Sequence, residues 1–142
     1  MMKVDIDRFG LKSVEIDPNS VFVFPKGILG YEDCQQFKVF HEVDKSAVFF
    51  LQALNNSEAT FPIVSPEVAG LEYQFELSDE ECALLDVQSQ REITVAVIVY
   101  RDAADNGKIS ANSRSPIVLN TRTLRGMQKV LSAAHPTLLY RE

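Results

Sequence analysis

The sequence predicts a mainly β fold, a small antiparallel β-barrel or barrel-like sandwich with one or two short helices. Three observations carry that prediction. β-type runs recur about every ten to fifteen residues, turn formers such as Asp17-Pro18-Asn19 and Asn55-Asn56-Ser57 separate them, and one stretch alone has a full helix-start signature. A chain of 142 residues with 46% hydrophobic residues is one domain, spanning 1–142, and fills a core without disulfides or metals.

In chain order, the first strands are expected at Val4 to Phe9, Ser13 to Ile16 and Val21 to Phe24. Pro25 ends the third by withdrawing a ladder donor, and Gly27 and Gly30 admit positive φ, so Phe24 to Glu32 makes a shaped loop. Asp33 to Gln36 is expected to add one helical turn. Strands follow at Phe37 to Glu42, Val48 to Leu54, Thr60 to Ser65 and Tyr73 to Leu77. Ser78-Asp79-Glu80-Glu81 is a capping box: the Ser78 hydroxyl accepts from the Glu81 amide while the Glu81 carboxylate returns to the Ser78 amide. The helix stops by about Asp86. Ile93 to Arg101 follows, apolar on both faces from Ile93 to Tyr100 and therefore expected to be the most buried strand. The turn Asp105-Asn106-Gly107 leads to strands at Ser115 to Asn120 and Met127 to Ser132.

The residues argue against catalysis. Cys34 and Cys82 lie far apart with no histidine near them, so neither a zinc knuckle nor a redox pair is spelled, and His41 and His135 are isolated. Glu80 and Glu81 are neighbours on a helix, about 100 degrees apart, and cannot act as a paired acid and base. Gly-Ile-Leu-Gly lacks the lysine and hydroxyl of a phosphate loop, and Ser65, Ser110, Ser113 and Ser115 have no nucleophile-elbow context. Arg122 and Arg125 are expected as solvated groups at a strand edge. No enzyme, cofactor or metal is expected. The longest uncharged apolar run is too short for a membrane helix and the start has no signal core, so a cytoplasmic protein is expected.

Charge points instead to a protein partner. The net formal charge is −6, unevenly spread: Glu67 to Glu92 holds eight acids against one base, while Arg101 to Glu142 holds seven bases against three acids. An acidic whole disfavours direct binding to nucleic acid and favours a basic partner. Tyr31, Phe49 or Phe50, Phe61, Tyr73 and Phe75 sit on or beside turns, and Glu32, Glu67, Glu72 and Glu76 would rim them.

Three motifs in order carry a family resemblance. They are Phe24-Pro25-Lys26-Gly27-Ile28-Leu29-Gly30-Tyr31-Glu32; Phe61-Pro62-Ile63-Val64-Ser65-Pro66; and Ala111-Asn112-Ser113-Arg114-Ser115-Pro116-Ile117-Val118-Leu119-Asn120 followed by Gly126-Met127-Gln128-Lys129-Val130-Leu131. The ordered set resembles the flagellar assembly factor FliW family over nearly the whole chain. The family's first loop usually has Gly-Ile-Pro-Gly, whereas this chain has Leu29 at the second proline, which implies a less rigid loop; the tail Ala134-His135-Pro136-Thr137 matches the family ending only loosely.

The resemblance implies a non-enzymatic antagonist that binds the RNA-binding translational repressor CsrA and also binds flagellin as a chaperone, coupling flagellin translation to filament assembly. It implies no direct contact with nucleic acid or membrane. Partner-binding residues are expected at Phe24, Pro25, Gly27, Gly30, Tyr31 and Glu32 on the first loop. On the acidic segment and third motif they are expected at Glu67, Glu72, Glu76, Asn112, Pro116 and Asn120. Glu67 to Glu92 would face CsrA, with the first loop shaping one side. Phe61 to Ser65 with Ile117 and Leu119 would line an apolar groove for a helix of flagellin. The alternative is a small-ligand-binding β-barrel module, which would need a hollow interior.

Overall fold

The structure, a computed structural model, describes residues 2–44, 47–73, 75–102, 106–131 and 138–140. In chain order the strands are β1 (Met2–Ile6), β2 (Leu11–Ile16), β3 (Val21–Val23), β4 (Gln36–Phe40), β5 (Phe49–Ala53), β6 (Thr60–Val64) and β7 (Leu71–Tyr73). Helix α1 (Asp79–Leu85) precedes β8 (Ile93–Asp102), β9 (Lys108–Ala111), β10 (Ile117–Asn120), β11 (Arg125–Gln128) and β12 (Leu138–Tyr140).

Seven strands close a barrel in the order β10-β11-β3-β4-β5-β6-β8, with β8 returning to β10. Closure leaves no open edge within the ring. Neighbours are antiparallel except β11 on β3, a parallel seam with a single register pair, Arg125 with Val23. Alternate residues point inward, and Phe22, Phe37, Leu51, Phe61, Ile63 and Leu119 belong to one apolar cluster that fills the axis. The interior is packed, as a small barrel with many phenylalanines requires, and the hollow ligand module has no counterpart in it. Outside, the β1–β2 ribbon covers Val21 and Phe40, while Leu71 and Tyr73 of β7 pack with Val64 and Val97.

β8 is longer than its neighbours and divides its pairing. Ile93 to Ala96 pair with β10, Val97 and Ile98 with β6, and Val99 to Asp102 with β9. β9 and β10 therefore run along β8 in succession, and residues 112–116 bulge out between them, opposite Val97 and Ile98. The capping box forms as predicted: the Glu81 amide donates to Ser78 Oγ at 3.1 Å and the Ser78 amide to Glu81 Oε1 at 2.8 Å.

Several expectations are corrected. Asp33 to Gln36 is no helical turn, because the Phe24 amide donates to the Gln35 carbonyl at 2.8 Å and draws this segment into β4. The strand expected at Tyr73 to Leu77 is instead Leu71–Tyr73, paired with β12, and neither β9 nor β12 was predicted. β10, buried at all four positions, replaces β8 as the most buried strand. On β8, Ile93 and Val95 are only half-buried because no strand of the ring covers their outer side, and Thr94, on the opposite face, is exposed. Ser132, Asp105 and the tail 134–137, including His135, lie outside the described residues.

Candidate protein-binding surface

The first loop is two tight turns in series. The Gly27 amide donates to the Phe24 carbonyl at 2.9 Å, and the Tyr31 amide to the Ile28 carbonyl at 2.6 Å. Gly30 has φ +86 at the third position of the second turn and Leu29 is not left-handed, the arrangement of a type II turn. Gly27 has φ +66, and a Cβ there would sit 2.6 Å from the Tyr31 carbonyl oxygen, so only glycine fits. Leu29 at the tip is 69% exposed. Its amide donates to Gln128 Oε1 at 2.8 Å, a bond that a proline at this place would lack.

Beneath the loop the three motifs meet. Tyr31 stands edge-on to Phe61 with centroids 5.0 Å apart, Phe61 leads to Phe37, and Phe37 to Phe24. The Phe24 ring fills the space where Gly126 has no side chain. Phe24, Gly27 and Pro116 are buried and so support the loop and the excursion instead of meeting a partner; Pro25 is half-buried, and Gly30, Tyr31 and Glu32 are exposed. Glu32 Oε2 accepts from the Gly30 amide at 3.0 Å, holding its own turn.

Asn120 is corrected from surface to clamp. It is fully buried: its Nδ2 donates to the Leu85 carbonyl at 2.9 Å and Glu92 Oε2 at 3.1 Å, and its Oδ1 accepts the Arg122 and Thr123 amides at 2.9 and 3.2 Å. Asn112, half-buried, passes its amide to the Ile98 carbonyl at 2.8 Å and starts the excursion. Ile117 and Leu119 face the barrel interior with Phe61 and Ile63, so the apolar groove expected along them does not exist on the surface.

A different groove does. Two hollows of ≈ 640 and ≈ 430 Å³ adjoin on the outer side of β8 and share Tyr73, Ile93 and Val95. Glu67 and Glu72 border the first; Phe75, Glu76, Leu77 and Cys82 border the second. Three of the four acids expected to rim aromatic anchors, Glu67, Glu72 and Glu76, thus gather around one apolar floor, whereas the fourth, Glu32, belongs with Tyr31 to the first loop. Ile93 and Val95 were overlooked as surface residues: a strand apolar on both faces has its second face covered by something, and here that face is partly open.

Charge is partitioned by folding. Arg122 and Arg125 are exposed, as expected, but stand at no free edge: Arg122 Nη2 donates to the Asp86 carbonyl at 2.9 Å and Arg125 Nη1 to the Leu84 carbonyl at 3.2 Å, capping the negative end of α1. Lys129 Nζ lies 2.7 Å from Glu81 Oε1. Burial pushes the Glu81 carboxyl up, but the Lys129 ammonium and the Ser78 amide outweigh it and hold the group below its ordinary range. Glu92 is held low in the same way, burial opposing the Gln88 amide and Arg122, whose Nε lies 2.9 Å from Glu92 Oε1. Three bases of the C-terminal third, Arg122, Arg125 and Lys129, thereby serve α1 and Glu92, and exposed Glu67 and Glu76 have no ion pair among the described residues.

Burial and then the Asp33 carboxylate raise the Cys34 thiol, which stays protonated within the core. Among the described residues no group of three or more His, Cys, Asp or Glu side chains is arranged to hold a metal ion. Among them, too, no helix is long and apolar enough to cross a membrane.

The family described as "FliW protein" matches residues 4–140. The chain is 38% identical to "Flagellar assembly factor FliW" of Azoarcus sp. (strain BH72), covering 99% of both chains. It is 34% identical to "Flagellar assembly factor FliW 1" of Desulfotalea psychrophila (strain LSv54 / DSM 12343), covering 88% of each. The fold matches the "Crystal structure of the flagellar assembly factor FliW" with a TM-score of 0.79 at 22% identity, over 97% of this chain and 95% of that one.

Proposed function

Because the chain belongs to the FliW protein family of flagellar assembly factors, we propose that it acts without catalysis, in the cytoplasm, by binding the repressor CsrA and releasing flagellin mRNA from it. The observation that carries this reading is the groove: an apolar floor of Ile93, Val95 and Tyr73 bordered by Glu67, Glu72 and Glu76, with no Lys or Arg in its lining. A repressor that holds RNA must be basic, and an acid-rimmed groove attracts it while repelling the RNA itself. Apolar contacts on the floor would supply affinity and the rim the on-rate.

Flagellin is the second proposed partner, as the family's role in flagellar assembly suggests. Its amphipathic helical ends need an apolar groove, and the β8 groove is the apolar one on the described surface that also carries half-buried aromatics. CsrA and flagellin would then compete for one site, coupling secretion of flagellin to its translation.

Titration of the purified protein with the CsrA of the same cell, with and without a target RNA, tests the proposal. Saturable binding that lowers RNA affinity is expected; no binding at low salt would overturn it. The double reversal Glu67→Lys with Glu76→Lys should weaken CsrA binding about tenfold or more at low salt and flatten its salt dependence, since both acids are exposed on the rim. Flagellin added to the preformed complex should displace CsrA, and a stable ternary complex would refute the shared groove.

A further inference from the structure

One polar side chain touches both separated motifs of the loop region. Gln128 Oε1 accepts from the Leu29 amide at 2.8 Å, and its Nε2 donates to the Ser115 carbonyl at 3.3 Å. Ser115 lies in the excursion between β9 and β10, and two residues earlier the Ser113 carbonyl accepts from the Tyr73 hydroxyl at 2.6 Å. Tyr73 is the wall shared by both hollows of the groove. A continuous connection therefore runs from the exposed tip at Leu29, through Gln128 and the excursion, to the groove.

We infer that Gln128 is a positioning residue that fixes the presentation of the Leu29–Gly30 turn and ties it, through the excursion and the Tyr73 hydroxyl, to the groove, so that loop tip and groove respond as one surface. Leu29 occupies the second position of a type II turn, where proline would supply rigidity through its ring. Here the amide that proline lacks is present and is used, and stiffness comes from a distant side chain instead of the local backbone. The excursion can transmit a displacement because it is not part of a ladder. It is clamped to the end of β11 and beyond by the Lys129 amide on the Pro116 carbonyl at 2.9 Å and the Leu131 amide on the Arg114 carbonyl at 2.7 Å. A shift of Tyr73 at the groove therefore moves a small body that also carries the Gln128 contact.

The linkage is a property of the free protein; only its consequence, that filling the groove alters how Leu29 and Tyr31 are offered to a second molecule, rests on the proposed function. Amide exchange of the free full-length protein, normalised to the buried Val97 amide, reads it directly. Gln128→Ala should speed exchange at Leu29 about fivefold, the loss of one ordinary hydrogen bond. Tyr73→Phe, which removes only the groove-side hydroxyl, should speed Leu29 exchange about twofold or more, an effect that local support of β7 alone would not produce. Gln128→Glu separates the two halves. Its carboxylate still accepts from Leu29 but cannot donate to Ser115, so Leu29 should stay protected and become insensitive to Tyr73→Phe.

Equal Leu29 exchange in Tyr73→Phe and the parent overturns the inference, and so does an unprotected Leu29 in Gln128→Glu. CsrA titration of the same proteins is read separately. Absence of CsrA binding with the exchange pattern intact would leave the linkage standing and overturn the proposed function.

Discussion

Replacing Asn120 by alanine separates a residue that meets a partner from one that holds the fold. Its side chain makes five hydrogen bonds, but their loss is unequal. The Leu85 carbonyl keeps a second donor, Thr123 Oγ1 at 2.8 Å, and Glu92 keeps Arg122. The Arg122 and Thr123 amides have Asn120 Oδ1 as their acceptor and are left unpaired in a partly buried turn. Each such group costs about 1–1.5 kcal/mol at that depth, and the vacated side-chain volume adds a little, so the total is about 3 kcal/mol. Against a domain stability of about 5–15 kcal/mol this is a large fraction. With a urea slope of about 2 kcal/mol/M the midpoint should fall by about 1.5 M, while the folded fraction binds CsrA as before. A loss below about 1 kcal/mol combined with weakened CsrA binding would refute the clamp and return Asn120 to the interface.

The loop glycines should differ. Gly27→Ala meets both a left-handed φ and the Tyr31 carbonyl and should cost about 3 kcal/mol, or roughly 10 °C in melting temperature, whereas Gly30→Ala meets only the φ and should cost about 1 kcal/mol, or roughly 3 °C; equal effects in calorimetry would count against the packed turn. Lys129→Met should destabilise most near neutrality. The Glu81 carboxyl is held low in the folded state, so its contribution is complete above its unfolded value near 4.5 and is lost as pH falls through the folded value; the gap from the parent should therefore close below about pH 4.5 in urea melts. A gap unchanged down to pH 3 would show that the pair contributes nothing. Leu29→Pro should leave stability within about 1 kcal/mol, because the lost bond to Gln128 is offset by a stiffer unfolded chain, and it should make Gln128→Ala less costly than in the parent, leaving only the bond to Ser115 to lose; additive effects of the two would refute the pairing.

Local chemistry was legible where a short segment contains all its own partners. The capping box of α1 is one such case, and the exit of the chain at Pro25, Gly27 and Gly30 is another. What failed needed contacts across the sequence. Arg122 and Arg125 look like edge charges until α1 is laid against β11, and Asn120 reads as a partner-facing polar residue until it is enclosed by Leu85 and Glu92. Ile93 and Val95 have the same apolar character as the covered Val97, so composition could not divide the covered half of β8 from the open half. β9 was hidden because its alternation, Lys108 to Ala111, is weak and its support is β8 alone. Of the four acids read as one rim, Glu67, Glu72 and Glu76 border the same groove, whereas Glu32 belongs to the first loop, because nearness in sequence places charges together only on adjoining segments.

The parallel seam between β11 and β3 bears on how the molecule is made. As the chain leaves the ribosome, β3 to β6 pair with their immediate successors, each step closing a short loop. The remaining closures, β10 on β8 and Arg125 against Val23, wait for the far end of the sequence, and α1 has no β11 to lie against until then. During that interval Phe22, Phe37 and Leu51 face water on a curved open sheet, the exposure that recruits chaperones or aggregation partners. A nascent chain that has not yet delivered Arg125 therefore has the acids and the apolar floor in sequence, but α1 has no β11 to rest against, and the wall that Cys82 adds to the second hollow forms only after β11 is in place.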